Sequence, residues 1–183
     1  MIDMKENILR VAIPRMQQVG IRSVSIEDLC KELGISKKTF YVYFPSKDDL
    51  VDAMLHAHEE KMTKDVQHLV ANKSVVQLIV DWTKITKQTE KSNHQTPPVL
   101  YDLKKYYPNL FKMHIKRVRR VMQQFLVQFL QKGQTESIFR QEIDTEVAAM
   151  LMVNTHLTLA EYADNHELSP QEIRHIGKTS MDI

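Results

Sequence analysis

Residues 25–50 read SIEDLCKELGISKKTFYVYFPSKDDL, and this stretch decides the fold. Ser25 is placed to cap a helix, with Asp28 at the reciprocal position of a capping box. Ile26, Leu29, Cys30 and Leu33 fall on one apolar helical face. Gly34 then stands where a helix ends in a left-handed residue. Ser36 recaps a second helix at once, leaving a turn of about three residues, as in a helix-turn-helix. That second helix, Lys37 to about Tyr43, carries Lys37, Lys38, Thr39, Tyr41 and Tyr43 on its polar side. Phe40 and Phe44, four apart, anchor it to a core. Phosphates and base edges call for this mix of charge, hydroxyl and aromatic groups. The stretch reads as a DNA-contacting unit.

The run Gly34-Ile35-Ser36-Lys37-Lys38-Thr39-Phe40-Tyr41-Val42-Tyr43-Phe44-Pro45-Ser46-Lys47-Asp48-Asp49-Leu50 resembles the signature of the TetR family of bacterial repressors. Upstream, Ile8, Leu9, Ala12, Met16, Gly20, Ile21 and Val24 are similar to the first helix of that family and its exit. The resemblance covers roughly residues 5–55 and is specific, because glycine, caps, aromatics and lysine all fall in register. Two positions depart from it. Lys38 stands where the family most often has a small residue, adding a cation to the DNA side. Pro14 lies inside the first helix, where it removes a backbone donor and is expected to kink or loosen the helix.

Composition sets the outer limits. The chain has 183 residues, 43% of them hydrophobic, with four glycines and six prolines, which suits a folded core and argues against disorder. No apolar run is long enough for a transmembrane span. The start, MIDMKENILR, lacks the apolar stretch of a signal peptide. The single cysteine, Cys30, can form no internal disulfide, which fits a reducing cytoplasm (a bacterial one, as the resemblance implies), and its place on the buried face of a helix suggests packing over redox sensing. Net charge is only +2, yet residues 1–47 hold eight Lys and Arg against five acids. Binding to DNA would then rest on a few placed donors and depend on salt.

Elsewhere every pattern is helical. Asp3, with Glu6 behind it, caps a first helix that Gly20 closes. Ser46 starts a fourth helix, reaching about Leu69, at which Lys47 and the helix N-terminus are placed to meet a phosphate. Val75, Leu78, Ile79, Trp82 and Ile85 mark a fifth, and residues 92–98 a loop ending in Pro97-Pro98. A short helix over Val99–Tyr107 stops at Pro108. Phe111, Ile115, Val118, Met122, Phe125, Phe129 and Leu130 stripe the longest helix, expected to end at Gly133. Asp144 caps another that runs to about His166, and Ser169-Pro170-Gln171-Glu172 signals one more. The chain reads as all-α: a three-helix helix-turn-helix domain over residues 1–50 and a helical effector-binding and dimerisation domain over 51–183.

The C-terminal order also resembles the TetR family, loosely: a Tyr-Pro start to a long helix, a break before Ile138-Phe139-Arg140, and two closing helices, with Ser137 replacing a glycine often found there. The resemblance implies a homodimer built on residues around Ala148–Tyr162 and Glu172–Ile176, with Ala148, Ala149, Ala160 and Ala163 allowing close approach. The same stripe would look alike if it faced the chain's own core. It also implies an unidentified small-molecule effector held between helices, for which Trp82, Tyr101, Tyr106, Met122, Phe125, Phe129 and His156 are the candidate lining, although each alone fits a core role. For DNA, Lys37, Lys38, Thr39 and Tyr41 are the candidate groove and flanking phosphate contacts, Ser36 opens the reading helix beside them, and Ser25, Tyr43 and Lys47 are expected to hold the backbone.

Other constellations carry less. Residues 103–135 hold eight cations and no acid, with Lys112, Lys116 and Arg119 on one face, read as a solvated face in preference to an anion site. The eight histidines show no metal-ligand spacing on one helix face, and no enzyme motif is present. No metal and no cofactor beyond the effector are expected. The expectation is a ligand-responsive regulator, more often a repressor in the family, that binds a pseudo-palindromic operator as a homodimer. A DNA-independent helical binding module is the alternative, and a helical enzyme the remoter one.

Overall fold

The computed structural model describes residues 3–89, 96–166 and 172, and among these every regular element is an α-helix. In chain order they are α1 (Met4–Val19), α2 (Ile26–Leu33), α3 (Lys37–Tyr43), α4 (Lys47–Asn72), α5 (Val75–Thr89), α6 (Pro98–Tyr106), α7 (Pro108–Thr135) and α8 (Thr145–Asn165). The all-α expectation holds. The cap at Ser169-Pro170-Gln171 and the residues 173–176 assigned to a dimer surface lie outside the described residues, as does most of the 92–98 loop.

Two compact units emerge. The first comprises residues 1–64 and 94–118, the second residues 65–93 and 119–183. In the first, Ile8, Ala12 and Met16 of α1 meet Leu29 of α2, Phe40 and Phe44 of α3, and Leu50 and Val51 of α4 in one core. Each of these side chains larger than Ala12 contributes about 1.5–3 kcal/mol by leaving water. α6 closes this core through Leu103. Its neighbour Asp102 is 9% exposed and accepts a hydrogen bond from the Arg22 backbone N–H at 2.8 Å. Gly20, at φ 89°, lies against that carboxylate, and a Cβ there would sit 2.7 Å from the Asp102 oxygen. Close approach and positive φ both require glycine at this exit.

Local signals account for most helix ends. Asp3 caps α1 weakly at the Lys5 N–H (3.4 Å), and Asp144 caps α8 through the N–H groups of Glu146 and Val147. α1 runs on through Pro14, which sits exposed inside the helix without breaking it. One end differs from expectation. Gly133 does not terminate α7, which continues to Thr135, because its missing side chain is a packing feature: any Cβ there would overlap the Phe139 ring. The left-handed residue of that connection is Ser137, at φ 57°. On α7 the deepest positions are His114, Val121, Val127 and Leu130, while the other members of the expected stripe are half-buried.

In the second unit Val127, Leu130 and Ala149 form the buried core, with Phe129, Phe139 and Ala148 packed on it. Ala148 and Ala149 therefore serve this unit's own interior, not an outward dimer face. Ala160 is exposed, and the side chain of Ala163 is outside the described residues. Val75 N–H donates to the Glu136 carboxylate at 2.9 Å, joining the start of α5 to the end of α7.

Candidate nucleic-acid interface

The reading head is assembled by caps. Ser25 Oγ accepts from the Asp28 N–H (3.0 Å) and donates to the Asp28 carboxylate (2.6 Å). Gly34 ends α2 at φ 65°, its N–H reaching the Cys30 and Lys31 carbonyls, and the Ile35 N–H returns to Cys30 O at 3.0 Å. Two successive N–H groups thus satisfy the carbonyls a helix end leaves open. Ser36 Oγ then accepts from the Thr39 N–H at 3.0 Å and starts α3. Three residues, Gly34 to Ser36, separate the helices.

Phe40 and Phe44 decide which face α3 shows. Both are buried, with ring centroids 5.8 Å apart, so the opposite face must be outside. Lys37, Lys38, Tyr41, Val42 and Tyr43 are exposed, and Thr39 is half-buried with its hydroxyl 2.9 Å from Ser36 Oγ. Val42, 72% exposed, is the residue sequence reading passed over. The signal was available, since a helix anchored through positions 40 and 44 must turn position 42 outward. An outward valine is suited to the thymine methyl group.

The remaining candidates are held more tightly than expected. Lys47 is half-buried, and its ammonium donates to the Val24 carbonyl at 2.7 Å; burial pushes its pKa down. An ammonium has three donors, so one hydrogen bond leaves others for a phosphate. Ser25 spends its hydroxyl on the cap. Lys37 is ion-paired with Glu27 of α2 at 2.9 Å, a partner not anticipated from sequence. Cys30 is buried and its thiol pKa is pushed up by burial, which disfavours the reactive thiolate.

The effector candidates fall in both units. In the first, Tyr101 accepts from Lys105 Nζ at 2.9 Å, and the Arg22 guanidinium lies 4.4 Å from the Tyr106 ring. In the second, Phe125 stacks on Phe129 at 6.0 Å and Phe129 meets Phe139 edge-on at 5.4 Å; Met122 is half-buried, Trp82 and His156 exposed. A cleft of about 640 Å³ in the second unit is lined by Gln67, Gln123, Gln124, Gln128 and Gln131, with Arg120, Val127 and Glu146, and by none of the seven candidates. The cations Lys112, Lys116 and Arg119 are exposed, whereas Arg117 is tucked between Asp52 (3.0 Å) and Glu59 (3.6 Å). Among the described residues no cluster of three or more His, Cys, Asp or Glu is placed to hold a metal. No described helix is long and apolar enough to cross a membrane.

Comparison with known proteins points the same way. Residues 8–54 match the family described as "Bacterial regulatory proteins, tetR family". The HTH-type transcriptional repressor Rv1353c of Mycobacterium tuberculosis is 32% identical over 101 residues, 54% of this chain and 36% of that protein. The uncharacterized HTH-type transcriptional regulator YuxN of Bacillus subtilis is 41% identical over 54 residues, 30% of this chain and 19% of that one. The chain thus spans between a fifth and two-fifths of the length of these relatives. Among solved structures, a transcriptional regulator from Cytophaga hutchinsonii superposes with a TM-score of 0.69 at 14% identity, covering 97% of this chain and 92% of its own. The reduced form of NemR from Escherichia coli gives 0.64 at 17% identity, covering 94% of each chain. At such identities the likeness is one of fold, and it extends over both units. The match is carried by the capped helix pair and its aromatic anchors: over residues 8–54 this chain is similar to the helix-turn-helix segment of the tetR family of bacterial regulatory proteins.

Proposed function

We propose that this protein is a transcriptional regulator, acting as a repressor in the bacterial cytoplasm, that binds a pseudo-palindromic operator as a homodimer and releases it when a small effector binds. The observation that carries the reading is the outward face of α3, where Lys37, Lys38, Tyr41, Val42 and Tyr43 are exposed over the buried Phe40 and Phe44. A face of that composition has donors for phosphates and apolar groups for base edges. Two heads related by a twofold axis would meet half-sites roughly 34–36 Å apart, or a multiple of that.

Support for the dimer comes from α8. Val147, Met150, Leu151 and Tyr162 are exposed along one face, opposite the buried Ala149 and Val153. Effector action follows from linkage: a ligand shifts the DNA-binding state only by its differential affinity for the two states. In the first unit α6 grips the α1–α2 junction through Asp102 and Arg22, which offers a route from that helix to the head.

The test is binding to duplex DNA from upstream of the protein's own gene, across a salt series and against a scrambled duplex. The wild type should bind tightly, with a salt dependence set by its phosphate contacts. Replacing Lys37, Lys38 and Tyr41 together with alanine should abolish the preference for the upstream duplex while leaving the melting temperature unchanged. Retained preference in that variant would sink the reading.

A further inference from the structure

We propose that Glu27 is an electrostatic brake on the reading head: it occupies Lys37 in place of a DNA phosphate and so suppresses binding to non-cognate duplex. The inference rests on the DNA-binding reading above, and it concerns a residue outside the donor set.

Glu27 lies in the first turn of α2, and Lys37 is the first residue of α3. The Glu27 carboxylate spans the two helices: one oxygen is 2.9 Å from Lys37 Nζ, the other 3.4 Å from Lys31 Nζ. Both partners of the inter-helix pair are exposed, so solvent screens the pair and DNA can reach it. The pairing pulls the Glu27 carboxyl below its ordinary range and lifts the Lys37 ammonium, so both groups are charged at neutral pH. The adjacent Lys38 is exposed and makes no ion pair among the described residues. The two lysines that open the reading helix are therefore unequal, one neutralised by a carboxylate and the other not.

A carboxylate on two ammonium groups does what a phosphate would do. Non-specific binding is driven almost wholly by phosphate neutralisation and counterion release. On a generic duplex Lys37 must leave Glu27 to contribute, and Glu27 then repels the phosphates it faces. On the operator, base-edge contacts from Tyr41 and Val42 add a term that generic DNA lacks, so the same cost is offset. Glu27 thus lowers affinity for generic duplex, the complex held by phosphate neutralisation alone, while base-edge contacts keep the operator complex formed.

The experiment compares wild type, Glu27→Gln, Lys37→Gln and the double variant on a generic duplex and on heparin-agarose, across a salt series, with melting temperatures to confirm intact folds. Glu27→Gln should bind the generic duplex about two- to fivefold more tightly, the scale of an exposed ion pair. Its log–log salt slope should steepen by about one, as for one more phosphate contact. The larger part of the gain should vanish in the Lys37→Gln background. Unchanged generic affinity and slope in Glu27→Gln, or an equal gain with Lys37 already removed, would overturn the brake. The operator reading is judged separately, on the upstream duplex. A wild type without preference for it tells against that reading, while the generic-duplex and heparin comparison still decides the role of Glu27.

Discussion

Two residues with positive φ give opposite expectations at the scale of a single side chain. Gly20 is left-handed and pressed against the Asp102 carboxylate, so Gly20→Ala adds backbone strain and displaces the acceptor of the Arg22 N–H. Those effects together should cost about 2–4 kcal/mol, measurable as a lower midpoint of chemical denaturation. Ser137 also has a positive φ, and among the described residues its hydroxyl makes no hydrogen bond. Ser137→Gly should therefore stabilise the protein by about 0.5–1 kcal/mol, raising that midpoint. The Ser137 substitution was visible in the sequence as a departure from a familiar glycine. The Gly20–Asp102 contact was not, because eighty positions separate the Arg22 N–H from its acceptor and no local period encodes such a pair.

Among the helices, legibility follows the range of the forces involved. The ends of α2 and α3 could be read because Ser25, Gly34 and Ser36 act within one turn of themselves. The end of α7 could not, since Gly133 answers to Phe139 across a connection and not to its own helix. The same limit hid His114. It is 8% exposed, its Nδ1 has no hydrogen-bond partner among the described residues, and its ring lies 5.5 Å from that of His58 on α4. Burial, with the charges of His58 and Arg117 adding to it, pushes its pKa from 6.5 down to about 4. The unfolded chain therefore binds more protons than the folded one between those values. The stability this site contributes is complete above pH 6.5 and is lost as pH falls toward 4, by about 3 kcal/mol at most. His114→Phe removes the unpaired nitrogen along with the titration. Thermal melts from pH 7.5 to 4 should show a shallower acid decline for that variant than for wild type, and parallel curves would rule His114 out as the cause.

Assembly is the scale on which local pattern says least. A helix stripe has the same period whether it faces a partner or its own core, and the small residues Ala148 and Ala149, expected at a dimer surface, belong to the interior of the second unit. What α8 leaves outside is larger and more apolar: Leu151 is 57% exposed, with Val147 and Met150 beside it. A twofold axis near this face would bring each Leu151 close to its own copy or to these neighbours, because a symmetric interface uses the same patch twice. Leu151→Lys would then set like charges against each other in a desolvated contact while disturbing no packing inside one chain. Light scattering should show the wild type as a dimer and Leu151→Lys largely as a monomer, with the melting profile of the isolated chain little changed. Upstream-duplex affinity should fall by about 100-fold or more, since two tethered heads bind far better than one. Binding to a single half-site should be left almost intact, which separates a lost partner from a damaged head. An unchanged dimer would remove α8 from the interface and, with it, the geometric basis for pairing the two half-sites through this face.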